Sequence, residues 1–240
     1  MPNVLIPTSH GQMLAWLALP ILPTPRPGVV VLHDIFGMNQ DHRHQANWLA
    51  QAGLLALSID LYSRGGPLRC MRAVVRDLIA DSGPDSDDIE VSRNWLQAHP
   101  RCNGRVGVVG LCMGGGFALL LARGNSFSPV AGISDDKLPP EVDNFLQTDC
   151  PVVGNYNGQA KWEQGLADQL EDALQCALVP HNVKASPEAG HGFRDRHHRF
   201  FLKLLRLKCP GYDEPEMLDA RRRILAFFHT HLGDRAPAHP

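Results

Sequence analysis

The chain has 240 residues, 44% of them hydrophobic, with 23 Lys and Arg against 25 Asp and Glu. That length fits one domain, 1–240, with a sizeable core, and a net charge of −2 carries no global footprint for nucleic acid or an anionic membrane surface. Six cysteines, at 70, 102, 112, 150, 176 and 209, form neither a CxxC pair nor a His–Cys ligand spacing, which predicts no metal site, no disulfide framework and a reducing, cytoplasmic setting.

At the amino end, Met1 to Pro7 lack a basic stretch followed by a long apolar one, and no apolar run along the chain approaches bilayer length, so neither a signal peptide nor a membrane span is expected. Strand-length apolar runs alternate with helix-period segments. Strands are predicted near 3–7, 12–19, 28–33, 54–60, 106–111, 130–133, 151–156 and 181–186. Helices are predicted near 40–52, 68–80, 85–98, 113–123, 162–177 and 215–232, the last with Pro215 in its first turn. The first two strands lie too close for a crossover helix and should pair antiparallel, whereas the later alternation argues for parallel βαβ units. The expected fold is α/β: a mostly parallel eight-stranded sheet with helices on both faces. The proline-rich stretch 20–27 reads as a turn between strands, Arg221 to Arg223 as the solvated face of the last helix, and 199–208 as a cover over the core rather than a membrane-surface helix.

One junction carries chemistry. The apolar strand ending at Leu111 becomes a helix at once through Gly110-Leu111-Cys112-Met113-Gly114. A Gly-x-Cys-x-Gly turn between strand and helix has the form of a nucleophile elbow with cysteine in place of serine, the flanking glycines giving the room that the sharp bend requires. A Rossmann phosphate loop does not fit, because Gly107 and Gly110 fall in the strand and Gly114 to Gly116 inside the helix. Cys112 then stands at a helix N-terminus, where backbone N–H groups and the helix dipole favour the reactive thiolate.

Acyl transfer by such a thiol needs two further parts. A base is expected in the loop after the last strand, and His191 stands there in Gly190-His191-Gly192-Phe193. Oxyanion donors are expected at the backbone N–H of Met113 and at that of Ile35, in the loop His33-Asp34-Ile35-Phe36-Gly37 after the third strand. For Asp34 two readings stand side by side: a contact at the site, or a cap on the following turn.

With these residues in place the chain resembles the dienelactone hydrolase family. The likeness runs nearly the full length, through His33 to Gly37, Asp60-Leu61-Tyr62-Ser63-Arg64, Gly110 to Gly115, Cys150-Pro151-Val152-Val153-Gly154, Gly190 to Phe193 and Arg221 to Phe228. It implies an α/β-hydrolase fold, no cofactor, Cys112 as nucleophile, His191 as base, and a carboxylate after the third strand in contact with the resting thiol. That carboxylate is often Glu in the family and is Asp34 here, one methylene shorter. A larger departure concerns the acid that orients the histidine. Where the family has Tyr-Gly-x-x-Asp, this chain has Tyr156-Asn157-Gly158-Gln159-Ala160, with alanine in the acid's place. Asp135 and Asp136, after the neighbouring strand, are alternative acids or an exposed turn, and Asp168 is expected to face solvent.

The resemblance implies a cysteine hydrolase that opens a lactone or cleaves a small carboxylic ester through a thioester acyl-enzyme. Its substrate would be a small, acidic lactone or ester, held by arginines from Arg64, Arg69 and Arg72 or from Arg194 and Arg196. Neither nucleic acid nor membrane is an expected partner, and the protein is expected as a monomer or dimer. The alternative is a family member without the triad acid that binds an acidic metabolite or a partner with little turnover. A redox role for Cys112 lacks a resolving cysteine in the sequence.

Overall fold

The computed structural model describes residues 3–66, 70–71, 73–74, 76, 83–122, 127, 129–134, 150–157, 165–186 and 214–233. In chain order these form β1 (Asn3–Thr8), β2 (Gly11–Ala18), β3 (Arg26–Leu32), α1 (Gln40–Gln51), β4 (Leu55–Ile59), α2 (Pro84–Gln97), β5 (Cys102–Leu111), α3 (Met113–Ala122), β6 (Val130–Ser134), β7 (Val152–Asn157), α4 (Leu166–Cys176), β8 (His181–Ser186) and α5 (Glu214–Leu232). Of the helix expected over 68–80, residues 70, 71, 73, 74 and 76 are helical and the rest lie outside the described residues.

The strands make one eight-stranded sheet in the order β1-β2-β4-β3-β5-β6-β7-β8. β1 pairs antiparallel with β2, as the short connection between them demanded, β2 pairs antiparallel with β4, and every later pair is parallel. Central strands buried on both faces carry continuous apolar runs, and Val29 to Leu32 and Leu55 to Leu57 are fully buried. One face packs against α2, α3 and α4 through Ile89, Leu96, Phe117, Leu170 and Leu174. The other packs against α1 and α5 through Ala46, Leu49, Ile224, Phe227 and Phe228.

This order places a topological switch beside β3. The chain leaves β3 for β4 on one side and later returns to β5 on the other, so the connections diverge from the carboxyl ends of β3 and β5. In open α/β sheets that divergence opens the crevice in which ligands bind. Leu32, the last residue of β3, pairs with Gly110 near the end of β5, so the loops at 33–37 and 112 start side by side.

Three expectations are corrected. β5 begins at Cys102, four residues before the expected start, because Asn103 and Gly104 (φ +87°) resemble a turn in sequence yet continue the strand. In the added stretch the Arg105 guanidinium donates to the carbonyls of His231, at 2.7 Å, and Gly233 at the end of α5. β3 likewise begins at Arg26, inside the stretch read as a turn, and its register with β5 shifts between Arg26 and Gly28. Pro27 lies in that irregularity, where a missing N–H costs no ladder bond. Third, Arg221 to Arg223 do not form one solvated face. Successive residues turn by about 100° around a helix, so Arg222 is exposed while Arg221 lies over the Trp48 ring at 5.1 Å and Arg223 bonds to Asn155 and to the Asn182 carbonyl. Asp168 on α4 is exposed, as expected.

Among the described residues no helix is long and apolar enough to cross a membrane. The segment 199–208 lies outside them.

Candidate active site at the carboxyl ends of β3 and β5

β5 ends at Leu111, α3 begins at Met113, and Cys112 makes the whole turn between them. Its φ is +53°, left-handed backbone that a non-glycine residue enters at a cost of about 1–3 kcal/mol. The bend is tight enough to exclude side chains on either flank. A Cβ on Gly110 would fall on the Gly114 carbonyl, and one on Gly114 would lie 2.7 Å from the Leu32 carbonyl oxygen and 2.8 Å from that of His33. The first turn of α3 therefore rests directly on the end of β3.

Cys112 is half-buried and its carbonyl accepts from the N–H of Gly115 at 2.7 Å, opening the helix behind it. No acidic residue sits in the first turn of α3, so the N-terminal dipole is not offset by a carboxylate of the helix itself. Two other cysteines, Cys102 and Cys150, sit where burial disfavours the thiolate. Burial pushes the Cys150 thiol up to about 12, and its Sγ donates to the Phe127 carbonyl at 3.0 Å. Burial also raises the thiol of Cys102. Such thiols stay protonated and inert.

The neighbouring loop is tied down by side chains. His33 is fully buried, with Nδ1 2.6 Å from the Asp34 carbonyl and Nε2 accepting the Leu61 N–H at 3.1 Å. These partners put the proton on Nδ1. Burial lowers its pKa, outweighing the Asp34 and Asp60 interactions that raise it, so the ring is neutral. Tyr62 packs edge-on against His33, with ring centres 4.8 Å apart, and its hydroxyl donates to the Ile35 carbonyl at 2.9 Å. Gly37 (φ +84°) gives Tyr62 its place, since a Cβ there would lie 2.8 Å from the ring. Asp34 is buried; its Oδ1 accepts the Phe36 N–H at 2.8 Å, so the turn-capping reading describes one carboxylate oxygen.

Neither the Ile35 N–H nor the Met113 N–H has a protein acceptor among the described residues. Both backbone donors belong to the pair of loops that Gly114 holds in contact. A carbonyl oxygen developing negative charge beside Cys112 would need donors of this kind.

Arg64 is held by carboxylates of the next helix. Its guanidinium is paired with Asp85 and, at 3.4 Å, with Asp88, two buried carboxylates at the start of α2. Tyr156, which ends the burial pattern of β7, is enclosed in the core, and burial raises its hydroxyl pKa. His191, Arg69, Arg72, Arg194, Arg196, Asp135, Asp136 and Ala160 lie outside the described residues.

Sequence reading missed the supporting residues His33, His42 and Tyr62. The signal present was their motif context: a histidine closing a buried apolar strand, and a tyrosine just after the next one.

The model of the dienelactone hydrolase family matches residues 13–232. The carboxymethylenebutenolidase of Pseudomonas putida is 26% identical over 186 residues, covering 70% of this chain and 75% of its own length. The carboxymethylenebutenolidase of Pseudomonas knackmussii gives the same identity and coverage. Among solved structures, a dienelactone hydrolase-like promiscuous phosphotriesterase from metagenomic libraries aligns with a TM-score of 0.80 at 20% identity, covering 97% of this chain and 99% of that one. A dienelactone hydrolase from Anabaena variabilis aligns with a TM-score of 0.67 at 18% identity, over 96% and 97% of the two chains. At these identities the structural likeness shows the fold.

Proposed function

This chain belongs to the dienelactone hydrolase family and is a hydrolase, and from that premise we propose that it opens a lactone or cleaves a small carboxylic ester with Cys112 as nucleophile. The observation that carries the reading is the position of Cys112: a strained turn at the mouth of α3, pressed against the loop that presents the Ile35 N–H.

In the proposed cycle His191 takes the Cys112 proton and the thiolate attacks the substrate carbonyl, forming a C–S bond as the C=O electrons move onto oxygen. The Met113 and Ile35 N–H groups receive that oxyanion. Collapse breaks the C–O bond, and the leaving alkoxide takes the proton from the imidazolium. His191 then takes a proton from water; the hydroxide attacks the thioester, the thiolate leaves and regains the proton from the imidazolium, and the carboxylic acid product gives its proton to solvent. An acidic substrate would find its countercharge in Arg69, Arg72 or Arg194, and Asp34 would bear on the resting thiol. We place the reaction in a reducing cytoplasm, which keeps Cys112 available, with the protein as monomer or dimer.

Ala160 motivates a second reading. Without an acid to orient it, a catalytic histidine in a serine enzyme loses up to about four orders of magnitude. A thiol ionises more readily than a hydroxyl and loses less. A chain that keeps the fold and has lost turnover would instead bind an acidic metabolite or a partner.

Hydrolysis of p-nitrophenyl acetate separates the two. Cys112→Ala should lower the rate by about 1,000-fold or more while the fold is retained by circular dichroism, and full activity in that variant overturns the nucleophile assignment. If wild-type Cys112 reacts with iodoacetamide no faster than an exposed model thiol, and the protein releases no nitrophenol, the binding reading is favoured.

A further inference from the structure

The loop that carries the Ile35 N–H has no regular secondary structure, yet three successive peptide planes in it are each bonded to a different side chain. The 33–34 plane donates its Asp34 N–H to His42 Nε2 at 3.2 Å. The 34–35 plane accepts His33 Nδ1–H on the Asp34 oxygen at 2.6 Å, with the Gly37 N–H on the same oxygen at 3.2 Å. The 35–36 plane accepts the Tyr62 hydroxyl on the Ile35 oxygen.

The middle plane matters most. A trans peptide holds its C=O and N–H antiparallel, so whatever fixes the direction of the Asp34 carbonyl fixes the direction of the Ile35 N–H. A carbonyl that accepts strong hydrogen bonds also polarises its own peptide, which makes the attached N–H a stronger donor. His33 does both, and the Leu61 N–H on its Nε2 keeps it in the tautomer that can. His42 fixes the preceding plane. Since its Nε2 accepts from Asp34, its proton sits on Nδ1, which lies 3.1 Å from Asn39 Oδ1; the 3.4 Å approach of the Asn39 N–H to the same Nδ1 is the lesser contact. Both rings are buried, 0% and 2% exposed.

We propose that His33 and His42 are positioning residues that aim and strengthen the Ile35 N–H as oxyanion donor. The assignment rests on the reading of Cys112 as nucleophile. It has a kinetic signature that general support of the fold lacks, because acylation by an ester builds an oxyanion whereas alkylation by iodoacetamide, a displacement at saturated carbon, builds none.

The test compares these two reactions in the full-length protein. Wild type and Cys112→Ala come first: nitrophenol release and Cys112 alkylation in the former only establish the nucleophile, and their absence overturns that reading and this inference together. With that established, His33→Ala should lower acylation by p-nitrophenyl acetate about 10- to 100-fold, in kcat with KM within twofold, while the alkylation rate stays within twofold. His33→Asn, which can return an amide donor to the Nδ1 position, should recover part of the loss, and His42→Gln should be milder than His42→Ala. Equal losses of acylation and alkylation would mean damage to the elbow and overturn the proposal, as would acylation unchanged in both alanine variants. Should the alanine variants not fold, His33→Asn and His42→Gln decide alone: a fall in acylation without a fall in alkylation supports the proposal, and any other pattern overturns it.

Discussion

Two loops meet at the end of the sheet, and they fix their backbones by opposite means. The bend at Cys112 is held by what is missing, since the Cβ positions of Gly110 and Gly114 are already filled by carbonyl groups. The loop at 33–37 is held by what is present: two imidazoles, a phenol and a carboxylate, each bonded to a named backbone atom. The first kind of constraint is steric and all-or-none. The second is a sum of hydrogen bonds that can be removed one at a time, and the two loops should fail accordingly.

The largest effect is expected at the elbow. Gly110→Ala forces a methyl into the Gly114 carbonyl, with no flexible side chain to give way, and should cost more than about 4 kcal/mol, read as loss of soluble protein or a collapse of the urea midpoint. A variant that folds with wild-type stability would show that the turn can relax, and would remove the contrast between the loops.

Acid should act on the second loop. The folded pKa of His33 lies below the ordinary value near 6.5, so the unfolded chain takes up the proton first. Its contribution to stability is therefore complete above about pH 6.5 and is lost as the pH falls towards the lowered folded value. Urea midpoints at about pH 7.5 and about pH 5.5 should diverge for wild type, and the divergence should shrink in His33→Asn. An equal shift in both proteins would place the acid sensitivity elsewhere.

Tyr62→Phe keeps the ring against His33 and deletes only the bond to the Ile35 carbonyl. It should cost about 1 kcal/mol, seen in denaturant unfolding. The smallest effect is expected for Asp34→Asn, because an amide oxygen can still accept the Phe36 N–H; stability should stay within about 0.5 kcal/mol. A marked change in hydrolysis with that stability intact would locate the role of Asp34 at the thiol rather than in the turn.

The same contrast explains what the sequence disclosed. The elbow could be read directly because its constraint is local: two glycines, one cysteine and a change of apolar period, all within a few residues. The side-chain locks could not, because two of their bonds join parts of the chain that only the sheet order brings together. His33 meets Leu61, and Tyr62 meets Ile35, across the β3–β4 pair. A histidine closing a buried strand marks the position, but its clamp on a backbone carbonyl is visible only once the Leu61 N–H is placed on its other nitrogen. The strand starts at Arg26 and Cys102 were hidden for a related reason, as Pro27 and Gly104 have the chemistry of turns and are tolerated in strands only at an irregularity the partner strand absorbs. The pairing of Arg64 was not legible for the same reason, because Asp85 and Asp88, its partners, belong to the next helix.

The helix behind Cys112 is buried along its entire length, every residue from Met113 to Ala122. Most helices of the sheet layers have a wet side along which amides can exchange by local fraying. This one has none, so its amide protons from Phe117 onward should exchange with deuterium only when the whole sheet opens, and the protection measured there reads the global unfolding free energy from a position a few residues from the reactive thiol.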